Sequence, residues 1–207
     1  MNGPPKEYAP VEITATSQPL KIFAEWMQEA ERHPEVHQPT AMSLATQGAD
    51  GDLHARVVLC KEWTDEGFVF YTNYTSRKGL DLQHHPRAAA VFYWDPLFKQ
   101  VKISGPVTKT SRLASEDYWK TRPRDSQISQ TLSRQSQEAP EHAVLERMHR
   151  EAELKFKDRE IPCPENWGGY TIHPERIEFW IGRAGRLHER YEFIKSSTLW
   201  TFRRLYP

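Results

Sequence analysis

The chain has 207 residues, of which 38% are hydrophobic and 12% aromatic, and its 28 basic side chains balance its 28 acidic ones. A balanced charge supplies no global field to recruit nucleic acid or an anionic membrane surface, so neither partner is expected, and local basic clusters must be judged as sites. Cys60 and Cys163 belong to no CxxC pair, which argues against a disulfide framework or a structural zinc site and for a reducing compartment. Met1 to Pro19 shows no signal-peptide pattern and no segment approaches a membrane span, so a cytoplasmic protein without a metal is expected.

The length suits one substantial core. Residues 1–18, rich in Pro, Thr and Ser, read as a mobile tail, and residues 19–207 as a single domain. From Pro19 to Arg32 the apolar residues Leu20, Phe23, Ala24, Met27 and Ala30 form a helical stripe, with Ser17 as its candidate cap. Ala41 to Thr46 and Ala55 to Lys61 flank the turn-rich Gln47-Gly48-Ala49-Asp50-Gly51-Asp52 and read as a hairpin, with Phe68 to Thr72 following. Further strands are expected at Ala88 to Trp94, Gln100 to Thr108, Gly169 to His173, Ile177 to Trp180, Leu187 to Ile194 and Trp200 to Leu205. Helices are expected at Ser76 to His84, Ser115 to Thr121 and Glu141 to Lys157. The fold class is therefore α+β, a barrel of antiparallel strands with peripheral helices.

Four segments carry chemistry. In Arg186-Leu187-His188-Glu189-Arg190, strand alternation would put Arg186, His188 and Arg190 on one cationic face, which asks for an anionic or polar ligand. At Thr72-Asn73-Tyr74-Thr75-Ser76-Arg77-Lys78 a strand runs into a helix, so Ser76 can cap while free N–H groups and two cations converge, a geometry that favours a phosphate. In Tyr118-Trp119-Lys120-Thr121-Arg122-Pro123-Arg124-Asp125-Ser126, Pro123 ends a helix and presents Arg122 and Arg124 in a rigid loop, a second anion candidate. In the strand Arg56 to Lys61, alternation points the two cations to opposite faces. The chain contains neither an HExxH nor a GxGxxG motif.

These blocks, with Phe70-Tyr71-Thr72-Asn73, Gln100-Val101, Arg134-Gln135-Ser136, Trp167-Gly168-Gly169 and Ile177-Glu178-Phe179-Trp180, resemble the pyridoxamine 5′-phosphate oxidase family in content and order, from about Pro19 to Pro207. The resemblance implies an FMN-binding split β-barrel and a homodimer with FMN between subunits. It implies oxidation of pyridoxine or pyridoxamine 5′-phosphate to pyridoxal 5′-phosphate, with oxygen as acceptor and hydrogen peroxide as by-product. Position by position, it assigns Arg56, Arg77, Lys78, Gln135 and Ser136 to the FMN phosphate region and Tyr71, Thr72, Gln100, Trp180 and Arg190 to the rest of the cofactor. Lys61, Tyr118, Arg122 and Ser126 are assigned to the substrate phosphate, and Arg186 and His188 to the pyridine ring as the catalytic pair. The chain departs from the family at Ile181, where a Gln would supply a polar contact near the flavin, at Tyr206 in place of a small residue, and in the tail, where only Lys6-Glu7-Tyr8 corresponds to a closing segment. The rival expectation is a non-catalytic split barrel that keeps FMN or pyridoxal phosphate as a carrier or sensor. A flavin reductase of the same fold would have no use for the loop from Arg122 to Ser126.

Overall fold

A computed structural model describes residues 12–207. Its first helix, α1 (Pro19–Arg32), falls on the span predicted from periodicity, with Pro19 in the first turn, where a missing N–H is tolerated, and Ile22, Phe23, Trp26, Met27 and Ala30 buried along one stripe. Its N-cap is Gln18, without a side-chain bond. Ser17 instead accepts from the Thr14 N–H at 3.0 Å, which corrects the expected cap to a local turn. Ile13 is buried in the core, so packing contacts begin ahead of Ser17, while Lys6-Glu7-Tyr8 lies outside the described residues.

The strands are β1 (Ala41–Gln47), β2 (Leu53–Leu59), β3 (Glu62–Thr64), β4 (Gly67–Asn73), β5 (Arg87–Trp94), β6 (Lys99–Lys109), β7 (Trp167–Ile172), β8 (Arg176–Ile181), β9 (Glu189–Ser196) and β10 (Leu199–Leu205). The remaining helices are α2 (Arg77–His84), α3 (Arg112–Thr121), α4 (Arg124–Leu132) and α5 (His142–Phe156). Every pairing is antiparallel, in the order β10-β9-β8-β6-β5-β1-β2. The far end of β6, Val107 to Lys109, leaves this path and pairs with β7, which pairs with β4, and β4 with β3. One long strand shared between two sets of partners curls the sheet into a half-barrel. Gly105 sits where β6 changes partners, and a Cβ there would run into the backbone of His173.

Burial alternates along β5 and β6, so Ala88, Ala90, Phe92, Trp94, Val101, Ile103 and Val107 face inward. Helix α1 closes this interior. The Phe23 ring meets Phe68 and Phe92 edge-on at 4.8 and 5.0 Å, and Trp26 meets Phe179 at 5.1 Å. Truncating such a fully enclosed ring to alanine typically costs about 3–5 kcal/mol. A smaller cluster of Trp119, Ile128, Ala152, Ile161 and Trp167 joins α3, α4, α5 and β7, with the Trp119 indole N–H donating to the Ile161 carbonyl at 2.8 Å.

Three sequence expectations are corrected here. The chain does not enter a strand at Arg186 or Leu187: Ala184–Arg186 form a 3-10 turn with Gly185 at φ 65° and Arg186 at φ 62°, and β9 begins at Glu189. Two successive left-handed residues cannot continue an extended strand, so Arg186, His188 and Arg190 do not share a strand face. Pro123 does not open a loop but caps α4, an unanticipated helix whose only buried residue is Ile128. Strand β2 ends at Leu59, so alternation does not separate Lys61 from Arg56.

Candidate functional site

A cleft of about 670 Å³ opens between β2, β4, α2, α3 and α4, and it gathers residues from five separated stretches of sequence. Arg56, Tyr71, Thr72, Arg77, Lys78, Gln135 and Ser136 line it together with Lys61, Tyr118, Arg122 and Ser126. Val57, Val58, Leu59, Pro123 and Trp167 complete the lining.

At one end lies the N-terminus of α2. The Ser76 hydroxyl donates to the Asn73 carbonyl at 2.7 Å and accepts from the Gly79 N–H at 3.4 Å, capping the helix as predicted. Gly79 is required because a Cβ would strike the backbone of Tyr74. Lys78 is buried, and its ammonium donates to Gln135 Oε1 at 3.0 Å, Thr72 Oγ1 at 3.2 Å and Ser76 Oγ at 3.3 Å, all neutral acceptors. Burial and the neighbouring Arg56 charge push its pKa down to about 8. Burial likewise lowers the pKa of Arg56. Ser136, facing this end, has φ 72°, a left-handed conformation that costs a non-glycine residue free energy and clusters at ligand sites. Two cations close together at a helix start, whose first N–H groups lack intrahelical partners, are a donor set that the dianionic phosphate of FMN would fit in charge and in acceptor number.

At the other end stands Arg122. Its guanidinium lies over the Trp167 ring at 4.7 Å and the Trp119 ring at 5.4 Å, and its one side-chain hydrogen bond among the described residues is to the Ser126 carbonyl at 3.4 Å. Burial lowers its pKa, and stacking leaves most of its N–H donors free. Arg124, expected beside it, turns away and donates to the Phe156 and Arg159 carbonyls. Between the two ends Tyr71 stacks on Tyr118 at 3.9 Å and on Trp167 at 5.4 Å, forming a flat aromatic wall. Burial pushes the Tyr71 hydroxyl up to about 12, so it remains a neutral donor. In the sequence Trp167 stands out only as part of the Trp167-Gly168-Gly169 block, with no site role assigned to it; a tryptophan beside two glycines at a strand start was the available signal.

Gln100, Trp180 and Arg190 are not in this cleft. They form one cross-strand row, Gln100 opposite Trp180 and Trp180 opposite Arg190, on the outer face of β6, β8 and β9. The His188 ring packs 4.7 Å from Trp180, and its Nδ1 accepts from the Arg183 N–H at 3.1 Å, which leaves Nε2 for other work. Arg190 is not a free cation: its Nε donates to Glu178 Oε1 at 2.8 Å. Arg186 is exposed on its left-handed turn. Ile181 is 1% exposed in the core, one residue out of phase with Trp180, so this position does not offer the polar flavin contact expected of it. Strands β2 and β8 are separated by β1, β5 and β6, on the order of 19 Å along the sheet at ~4.8 Å per strand, so the row does not line the cleft of its own chain.

A half-barrel of antiparallel strands with a cation-lined cleft beside it is the FMN-binding split-barrel class. PhzG from Burkholderia lata, solved with tetrahydrophenazine-1-carboxylic acid, superposes with a TM-score of 0.87 over 92% of this chain and 93% of that chain at 28% identity. A pyridoxamine 5′-phosphate oxidase-related, FMN-binding protein of Nostoc punctiforme shares the fold at a TM-score of 0.73 and 14% identity, over 94% of this chain and all of that one. The chain belongs to the pyridoxamine 5′-phosphate oxidase family: residues 28–156 match its pyridoxamine 5′-phosphate oxidase model, and residues 167–207 match the pyridoxine 5′-phosphate oxidase C-terminal dimerisation region. The pyridoxine/pyridoxamine 5′-phosphate oxidase of Rubrobacter xylanophilus is 44% identical over 93% of this chain and 88% of the relative, and the pyridoxine-5′-phosphate oxidase of Bos taurus is 41% identical over 92% and 73%.

Proposed function

We propose that the protein is a homodimeric, FMN-dependent oxidase of pyridoxine and pyridoxamine 5′-phosphates, in which the cleft of one protomer is completed by the row around Trp180 of its partner. The observation that carries this reading is a cleft with two separate cationic ends, matching two phosphorylated molecules. Arg56, Arg77 and Lys78, with Gln135 and Ser136, hold the FMN phosphate, and Tyr71 and Thr72 frame the cofactor. Lys61, Tyr118, Arg122 and Ser126 take the substrate phosphate. The partner contributes Gln100, Trp180 and Arg190 to the flavin and Arg186 and His188 to the substrate ring, an arrangement supported by the dimerisation region matched at residues 167–207.

When bound, FMN supplies the two-electron acceptor for hydride from the substrate C4′ carbon, and oxygen carries the electrons away as hydrogen peroxide. The protein residues act by position. Arg122, stacked rather than ion-paired, meets the substrate phosphate with free donors. His188, its Nδ1 engaged by Arg183, presents Nε2 to the pyridine ring or its substituent. The Tyr71, Tyr118 and Trp167 wall excludes water from the space between the phosphates. A cytoplasmic location accords with the unpaired Cys60 and Cys163. In a test on the purified protein, a flavin absorbance band should bleach on anaerobic addition of pyridoxine phosphate and return with air. A bound flavin that resists bleaching by either phosphate would overturn the reading.

A further inference from the structure

We propose that Thr46 and Asp81, neither of which lines the cleft, form a positioning relay that holds the Arg56 guanidinium ready for the cofactor phosphate. The proposal rests on the reading of Arg56 as an FMN phosphate ligand. Arg56 Nη1 lies 2.6 Å from Thr46 Oγ1, and Thr46 Oγ1 lies 2.6 Å from Asp81 Oδ2. Arginine can only donate, so the threonine hydroxyl must accept from Arg56 and give its own proton to the carboxylate; the direction of both bonds is fixed. Thr46 is 3% exposed and Asp81 2%, so both bonds form away from competing water. The Leu44 carbonyl accepts from the same Nη1 at 3.3 Å, and His54 Nδ1 stands 3.1 Å from Asp81 Oδ2.

The sequence brings these groups together through the hairpin and α2. Thr46 on β1 pairs with His54 on β2, which places Arg56 diagonally across from it. Asp81 sits on α2 one turn beyond Arg77 and Lys78, so the helix that offers its N-terminus to a phosphate also braces, from its inner side, the arginine facing that phosphate. The inserted hydroxyl has a particular effect. Arg56 Nη2 stands 3.6 Å from Asp81 Oδ2, beyond hydrogen-bonding distance, so the guanidinium is aimed without being locked into a bidentate ion pair that would occupy its donors. Arg190, by contrast, donates directly to its carboxylate at 2.8 Å.

The test compares Thr46→Val, which keeps the shape and removes the hydroxyl, with Thr46→Ser, which keeps the hydroxyl. The full-length protein, freed of flavin, is titrated with FMN and with riboflavin, which lacks the phosphate. Loss of a hydrogen bond to a charged group predicts that Thr46→Val weakens FMN about tenfold, leaves riboflavin within about twofold, and that Thr46→Ser stays within about threefold of wild type for both. Unchanged FMN affinity in Thr46→Val, equal loss of both flavins, or a Thr46→Ser defect as large as that of Thr46→Val would each overturn the relay. Arg56→Ala, run alongside, separates the two levels. If it lowers FMN affinity selectively while Thr46→Val does not, the relay is wrong and the assignment of Arg56 stands; if it leaves the preference for FMN over riboflavin intact, that assignment falls and takes the relay with it.

Discussion

The cations of the cleft and those on the outer face of the sheet are chemically alike and are held in opposite ways. On the sheet, Lys102 and Arg190 share Glu178, while Arg176 and Arg203 share Glu192. Glu178 and Glu192 are cross-strand neighbours, 7% and 3% exposed. Burial opposes ionisation of Glu178, but the contacts from Arg190 and Lys102 prevail and hold its carboxyl below the usual range. In the cleft, Lys78 has neutral acceptors, Arg122 has aromatic faces, and Arg56 reaches its carboxylate through a hydroxyl. Charges that cancel inside the fold are scaffold; charges left over at a concave surface are a receptor for an anion brought from outside.

If that distinction is right, Arg186, exposed and without a carboxylate partner among the described residues, belongs with the receptors although it lies beside the paired ladder. Arg186→Lys keeps the charge and loses the planar fork, so kcat/KM for pyridoxine phosphate should fall about ten- to a thousandfold with FMN affinity nearly unchanged. Near-normal turnover would remove Arg186 from the site, and matched losses of turnover and FMN binding would move it to the cofactor.

Lys78→Ala tests the cleft itself and should weaken FMN roughly ten- to a hundredfold in a flavin titration while leaving the fold intact. The same residue sets a pH signature. Because burial lowers its pKa from the ordinary 10.5 to about 8, the charged lysine costs the ligand-free fold stability at neutral pH, and that cost fades as pH rises between about 8 and 10.5. Affinity for the phosphate runs the other way. It should decline with pH above about 8, where the free Lys78 loses its proton while the bound dianion, by raising the pKa, holds it on, and the decline should be absent in Lys78→Ala. Identical alkaline profiles for the two proteins would contradict the assignment.

The smallest expected effect tests the scaffold side. Glu192→Gln leaves Arg176 and Arg203 without their shared carboxylate, which should lower stability by about 1–3 kcal/mol and the Tm by several degrees. FMN affinity should not move. A selective loss of FMN binding at unchanged Tm would erase the distinction between paired and unpaired cations.

Much of the fold was legible in the sequence because its signals are periodic or local. The stripe from Leu20 to Ala30 gave α1, the Gln47 to Asp52 turn gave the first hairpin, and Ser76 gave the cap of α2. The strand assumed at Arg186 failed because alternation cannot reveal where a strand starts; Ala184-Gly185 carried the turn signal, and the left-handed φ at Arg186 is set by the fold around it. Helix α4 escaped because a polar segment with Ile128 as its one buried residue shows no stripe. In the cleft, the composition of both cationic ends was legible, whereas the stacking of Arg122 on Trp167 and the route from Arg56 to Asp81 join residues far apart in sequence. No local pattern encodes such pairs.

Cys60 immediately precedes Lys61, a residue of the cleft in which hydrogen peroxide would be formed. Peroxide attacks thiolates far faster than thiols. The Cys60 side chain is 0% exposed and its pKa is raised to about 12 by burial, so at neutral pH it stays the thiol rather than the reactive anion. Cys163 is also shifted upward by burial. The low polarity around Cys60 therefore keeps the sulfur next to the cleft in its slowly reacting thiol form.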